Sequence, residues 1–103
     1  MKVILESPYA GDLERNLAYA RAALRDSLNR GEAPFASHLL YTQALDDTVP
    51  EQRRQGLRAA QQWYYGAAKV VVYQDYGISP GMQLGIDLAL AIGLAVEYRR
   101  ILP

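Results

Sequence analysis

The order of apolar and polar positions divides the chain into alternating short and long blocks. Lys2 to Leu5, Lys69 to Tyr73 and Ala95 to Arg99 are short and rich in β-branched or aromatic residues, which predicts strands. Ala33 to Ser37 is a weaker strand, weakened further by Pro34, and suits a sheet edge. The long blocks have helical spacing. Leu13, Leu17, Ala20, Leu24 and Leu28 follow a capping Asp12, and Gly31 closes that helix. Thr48 and Glu51 have capping-box spacing around Pro50, so a second helix starts there and runs to about Tyr65, before Gly66. Ser79 caps a third, Pro80 takes its first position, and residues 80–94 are apolar nearly all round, with Gln83 and Asp87 as the only polar side chains. His38 to Asp47 reads as a loop or short helical turn.

The resulting β-α-β-α-β-α-β order predicts one α/β domain over residues 1–103. It is a small three-layer sandwich of Rossmann or flavodoxin type, with a four-stranded parallel sheet. In such sheets a ligand lies beyond the carboxyl ends of the strands, where the strand order reverses. Ser7 to Asn16, His38 to Asp47 and Asp75 to Gly81 would then surround one crevice. The stretch from Asp75 to Ala89 is the most suggestive of the three. A strand ends in an acid, passes a glycine-bearing turn at Gly77, and enters a helix whose free N–H groups suit an anion or sugar hydroxyls. A plain strand-to-helix connection is the alternative.

Charge narrows the partners. Eleven Lys and Arg balance eleven Asp and Glu, so no global field draws the chain to nucleic acid or to an anionic membrane. With no cysteine there is no disulfide framework, thiolate nucleophile or zinc knuckle. The opening Met-Lys-Val-Ile-Leu-Glu has too short an apolar run for a signal peptide, and helix 80–94 is too short to span a bilayer. A cytoplasmic protein with no membrane partner is expected.

Candidate chemistry is sparse. Ser7-Pro8-Tyr9-Ala10-Gly11 offers a hydroxyl, a stacking face and close backbone approach, but it has neither the spaced glycines of a dinucleotide fingerprint nor the lysine of a P-loop. It is otherwise an ordinary turn. Asn16 and Tyr19 face either the crevice or solvent. His38, the only histidine, is a structural hydrogen-bonder or a catalyst. Asp46, Asp47 and Asp75 lack metal-loop spacing, so neither a metal nor a cofactor is expected. No Ser-His-Asp arrangement with a nucleophile elbow is visible. Trp63, Tyr64 and Tyr65 read as helix packing or as a ligand platform, and three aromatics in a row cannot all face one core, which points one of them at a subunit contact. Arg53, Arg54 and Arg58 form a solvated face.

Taken as a set, Ser-Pro-Tyr after the first strand, Asn16 with Ala18, Ser37-His38-Leu-Leu-Tyr-Thr42, Asp75-x-Gly-Ile-Ser-Pro-Gly-Met82 and Val96-Glu97-Tyr98-Arg99 resemble an uncharacterised family. Its members are small phage and bacterial domains similar to nucleoside 2-deoxyribosyltransferases. The resemblance implies a site for a nucleoside or nucleotide, formed by Ser7, Tyr9, Gly11, Asn16, His38, Asp46, Asp75, Gly77, Ser79, Gly81, Met82 and Gly85. It also implies a homodimer or larger homo-oligomer. In that superfamily a glutamate acts at the anomeric carbon of an N-glycosidic bond, as in glycosidases. It lies four residues after a glycine, in a pattern like Gly-x-x-x-Glu-x-x-x-Ala. Counted from Gly81, that position is Gly85, with Ala89 matching the alanine. Gln83 and Asp87 lie about 200° round the helix from it and do not substitute from the same face.

The resemblance therefore implies a binding domain without the usual catalytic glutamate, one that senses or sequesters a nucleotide. The alternatives are an active N-glycosidase or deoxyribosyltransferase using Asp75, Asp47 or a partner subunit's acid, and a structural homodimer built on the last helix and Trp63 to Tyr65.

Overall fold

Strand β1 (Lys2–Glu6) runs through the middle of a parallel sheet, with β2 (Ala33–Phe35) on one side and β3 (Lys69–Tyr73) on the other. Strand β4 (Ala95–Arg99) pairs with β3 and completes the order β2-β1-β3-β4. The computed structural model describes residues 1–103. Val3, Ile4 and Leu5 of β1 and Val70 to Tyr73 of β3 are all buried, as central strands covered on both faces must be.

The period of two along each strand sorts these side chains into two layers. Val3, Leu5, Val71 and Tyr73 pack on Tyr19 and Ala23 of helix α1 (Leu13–Asn29). Ile4, Val70 and Val72 point the other way, against Tyr64 and against Met82, Ile86 and Ala89 of a long apolar helix near the C-terminus. This is the sandwich expected, with helices on both faces.

Four local expectations are corrected. The second strand is only three residues long; Ser37 already begins helix α2 (Ser37–Leu40), which passes into a 3-10 turn at Tyr41–Gln43. Thr48 is not the cap of helix α3 (Pro50–Gln62), because Asp46 takes both its backbone N–H at 2.9 Å and its hydroxyl at 2.6 Å. The helix therefore starts behind Val49 without a side-chain cap, and it stops at Gln62 rather than Tyr65. Helix α4 (Pro80–Ala91) ends three residues early, and Gly93 with a φ of 79° turns the chain into β4. Its start is as expected: Ser79 Oγ accepts the Met82 N–H.

The sheet face beneath α1 carries a charged layer near β4. Arg99, with only 3% of its side chain exposed, donates to both carboxylate oxygens of Glu32 at 2.8 and 2.7 Å, to Glu97 and to the Tyr73 hydroxyl. Lys69 reaches Glu97 at 2.7 Å and Glu32 at 3.4 Å. Hydrogen bonds from Arg99 hold the Glu32 carboxyl down at about 2. Pairing of this quality is what makes a buried guanidinium tolerable. No helix is long and apolar enough to cross a membrane.

Candidate functional site

The strand order reverses between β1 and β3, and a cleft of about 250 Å³ opens at the end of β1. That lies just under the roughly 300–1,000 Å³ of small-molecule sites, room for one compact ligand. Its floor is Glu6 and Ser7. One wall is α2 with Tyr41 and Thr42, another is α3, and the third is the start of α4 from Ser79 to Gly85.

Alternation along β1 sends Glu6 to the same face as Ile4, against α4. Its Oε1 accepts a hydrogen bond from the hydroxyl of Tyr64, which is itself buried just past the end of α3. No hydrogen bond reaches Oε2, yet that oxygen is not sealed off from solvent. Burial raises the Glu6 carboxyl to about 7, although the Tyr64 hydrogen bond pulls the other way. Burial and the neighbouring Glu6 charge push the Tyr64 phenol up, so Tyr64 keeps its proton and donates. Both groups touch the backbone of Gly85: a Cβ there would lie 2.5 Å from Glu6 Oε1 and 2.8 Å from its Cδ, and would strike the Tyr64 hydroxyl as well. Any side chain at 85 would have to displace the carboxylate and the phenol that occupy its space.

Ser7 Oγ lies 2.7 Å from His38 Nε2, tying the end of β1 to α2 across the cleft. Burial lowers His38 to about 4, so the ring is neutral at pH 7. No acidic side chain hydrogen-bonds the ring, and the pair is not a triad. Tyr9 meets His38 edge-on at 6.5 Å.

The opposed shifts of Glu6 and His38 give stability an unusual pH profile. Between 4.5 and about 7 folded Glu6 keeps a proton that the unfolded chain releases, so its contribution falls as pH rises, by about 1.4 kcal/mol per unit. Between about 4 and 6.5 unfolded His38 holds a proton that the folded ring has lost, so its contribution climbs at the same rate. The two slopes cancel over the shared window, and the other shifted carboxylates are lowered and lose their contribution at more acid pH. Urea melts from pH 4.5 to 6.5 are expected to be nearly flat for the native chain, rising with pH for Glu6→Gln and falling for His38→Gln. Parallel profiles in all three would contradict both assignments.

Of the residues singled out in the sequence, Ser7, Tyr9, His38, Asp47, Ser79, Gly81, Met82 and Gly85 line the cleft. Arg53 and Tyr64 line it as well, whereas Gly11, Asn16, Asp46, Asp75 and Gly77 lie outside it. Asn16, buried in α1, donates to the carbonyls of Tyr9 and Ala10, both at 3.0 Å, and shapes the loop from behind. Asp46 sits in the turn before α3. Gly11 and Gly77 turn the chain with positive φ values of 99° and 84°. Asp75 is engaged elsewhere: its carboxylate accepts the Tyr19 hydroxyl and the backbone N–H groups of Ile101 and Leu102 at 3.0 and 3.1 Å, which straps the C-terminal residues to α1. Of the aromatic triplet, Tyr64 faces the cleft, Trp63 lies 4.9 Å from the Phe35 ring and donates to the Tyr41 hydroxyl, and Tyr65 is 60% exposed.

Glu6 was not picked out in the sequence, and Tyr64 only as one of an aromatic triplet read as helix packing or a ligand platform, although each leaves a trace there. Glu6 ends a strand on the face set by Ile4, and Tyr64 continues the stripe Arg53, Gly56, Leu57, Ala60 at helical spacing. No three His, Asp or Glu side chains come together as a metal site.

A parallel α/β sandwich with a ligand-sized cleft at its strand-order switch is the class of domain defined here. The chain belongs to the family described as domain of unknown function DUF7768, whose model matches residues 1–99. No curated protein and no solved structure matches it.

Proposed function

We propose that the cleft binds a nucleoside or nucleotide and that Glu6 supplies the carboxylate that acts on its N-glycosidic bond. One observation carries this reading: the Glu6 carboxyl rests against Gly85, the position at which the resemblance to nucleoside 2-deoxyribosyltransferases places the catalytic glutamate. The acid lost from α4 is replaced by one from the neighbouring strand. Asp47 also lines the cleft, and Asp75 is committed to the C-terminal residues, so neither has the setting of Glu6.

The chemistry follows from that setting. Tyr64 fixes Oε1, and Oε2 is free to attack the anomeric carbon; the C–N bond breaks, its electron pair leaves with the base, and water in the cleft supplies the proton that the base takes up. The resulting glycosyl ester is opened by water, giving the free sugar, or by a second base, giving a new nucleoside. The neutral Ser7–His38 pair and the start of α4 offer hydrogen bonds for sugar hydroxyls. Because the ionised form attacks, the rate climbs with pH through about 7 and levels off above it.

Incubation with a pooled nucleoside and nucleotide library, read by mass spectrometry, tests the proposal. Free base in solution supports it. A nucleotide retained intact by the protein, with no base released, reduces the domain to a binding module, and silence from both fractions removes the nucleotide altogether.

Self-association is a second reading, favoured by apolar side chains turned outward. Leu84 and Leu90 on α4 are 49% and 64% exposed, and Tyr98 on the adjacent edge strand is 48% exposed. Leu84 also borders the cleft, so a second copy seated on α4 would narrow its mouth.

A further inference from the structure

A shallow groove adjoins the cleft and shares Asp47, Arg53 and Leu57 with it; Thr48, Pro50 and Arg54 complete its walls. Four of the groove's six lining residues are polar or charged, and Glu6 does not reach it. Its charge is uneven. Arg53 and Arg54, consecutive residues of α3, line it together with one carboxylate, Asp47, and neither forms an ion pair with it or with any other acid. Arg30, Lys69 and Arg99 are paired, and Arg15 lies over the Tyr76 ring, 4.0 Å from its centroid. Lys2, Arg21, Arg25, Arg58 and Arg100 are also without partners, but they border neither cavity. Arg53 is therefore the sole cation of the cleft, standing where the cleft passes into the groove.

We infer that this groove holds the phosphate of a nucleoside monophosphate whose base and sugar occupy the cleft. The inference rests on the cleft reading above and narrows it, from nucleosides in general to their phosphate monoesters. A phosphate monoester dianion matches the planar, multi-donor fork of arginine. Two adjacent guanidiniums offset its charge where one carboxylate opposes it. The amino end of α3 lies on the same side, its partial positive charge offset in part by Glu51 in the first turn. The solvated arginine face expected from the sequence thus has a use at Arg53 and Arg54, while Arg58 stays outside both cavities.

Calorimetric titration at low salt tests this with three probes: the four 2′-deoxynucleosides, their 5′-monophosphates, and inorganic phosphate. At least one monophosphate is expected to bind about tenfold or more tightly than its nucleoside. That advantage should shrink as salt is raised. The double variant Arg53→Ala/Arg54→Ala should erase the advantage, binding the monophosphate no more tightly than its nucleoside; both side chains are exposed, so the fold is not at stake. Inorganic phosphate should compete with the monophosphate and not with the nucleoside. Equal affinity of the native chain for nucleoside and monophosphate would overturn the inference while leaving the cleft reading intact, as would a preference that survives in the double variant. Phosphate bound by the native chain and lost in the variant, with no nucleoside bound, would uphold the groove and overturn the cleft reading. No binding of any probe would overturn both.

Discussion

Replacing Glu6 with glutamine is expected to lower the rate of base release by on the order of 10³-fold or more, with ligand binding retained. Glutamine keeps the shape of the side chain and can still accept the Tyr64 hydrogen bond through its own oxygen, so the cleft stays formed. What it removes is the charge that attacks the anomeric carbon. The same variant should be more stable than the native chain above pH 7, because an amide has no charge to desolvate. Initial rates of base release at pH 8, alongside thermal melts at that pH, separate the two effects. A large fall in rate with raised stability identifies Glu6 as a functional acid kept at a cost to the fold. Equal rates would place the chemistry elsewhere.

The second large effect concerns Gly85. Introducing alanine there is expected to destabilise the fold by about 1–3 kcal/mol. For a chain of this size that lowers the melting midpoint by roughly 4–8 °C per kcal/mol. The new methyl group would occupy the seat of the Glu6 carboxyl, 2.5 Å from Oε1, and would break the bond from Tyr64. Glu6 would then swing into the open cleft, its pKa would drop towards that of an ordinary carboxylate, and base release would be lost. Gly85→Glu alone should behave no better, even though it restores the residue expected from the superfamily pattern, because it adds an acid where one already stands. The double variant Glu6→Ala/Gly85→Glu clears the Glu6 carboxyl from the seat, leaving only the Tyr64 hydroxyl to shift, and should recover part of the rate. Melts and base-release rates of the four proteins decide the matter. Activity of Gly85→Glu above the native level would show that the seat is not shared.

These two residues also mark how far local pattern carries. The alternation of strand and helix was legible because each element has its own period and its own punctuation: buried β-branched runs at β1 and β3, caps at Asp12 and Ser79, breakers at Gly31 and Gly66. The strand order was not, because pairing partners leave no local trace. Helix α3 began late because Asp46, a turn residue four positions earlier than Pro50, competed for the side chain of Thr48. Within the site, residues on loops that follow strands were legible, since doubly wound sheets collect them at one edge. Asp75 showed the limit of that argument. A strand-end acid sits at the ligand edge, but here the C-terminal residues return across that edge and bind it.

Gly85 was legible as a missing acid, and its cause was not. Glu6 and Tyr64 are separated by 58 positions, and only their shared contact with Gly85 explains why the helix carries glycine there. The pairing of Arg99 with Glu32 across 67 positions is hidden in the same way. Close approach in three dimensions, rather than spacing along the chain, sets these positions.

The most direct test of the account is a titration of the Glu6 carboxyl itself, followed by carbon NMR on protein labelled at glutamate Cδ. Assignment by the Glu6→Gln variant removes the ambiguity among the glutamates. We expect a midpoint near 7 in the free protein, shifted when a mixture of 2′-deoxynucleoside 5′-monophosphates is added. A midpoint near the ordinary 4.5, unmoved by every nucleotide in the mixture, would mean that Glu6 is neither buried in the cleft nor part of a ligand site.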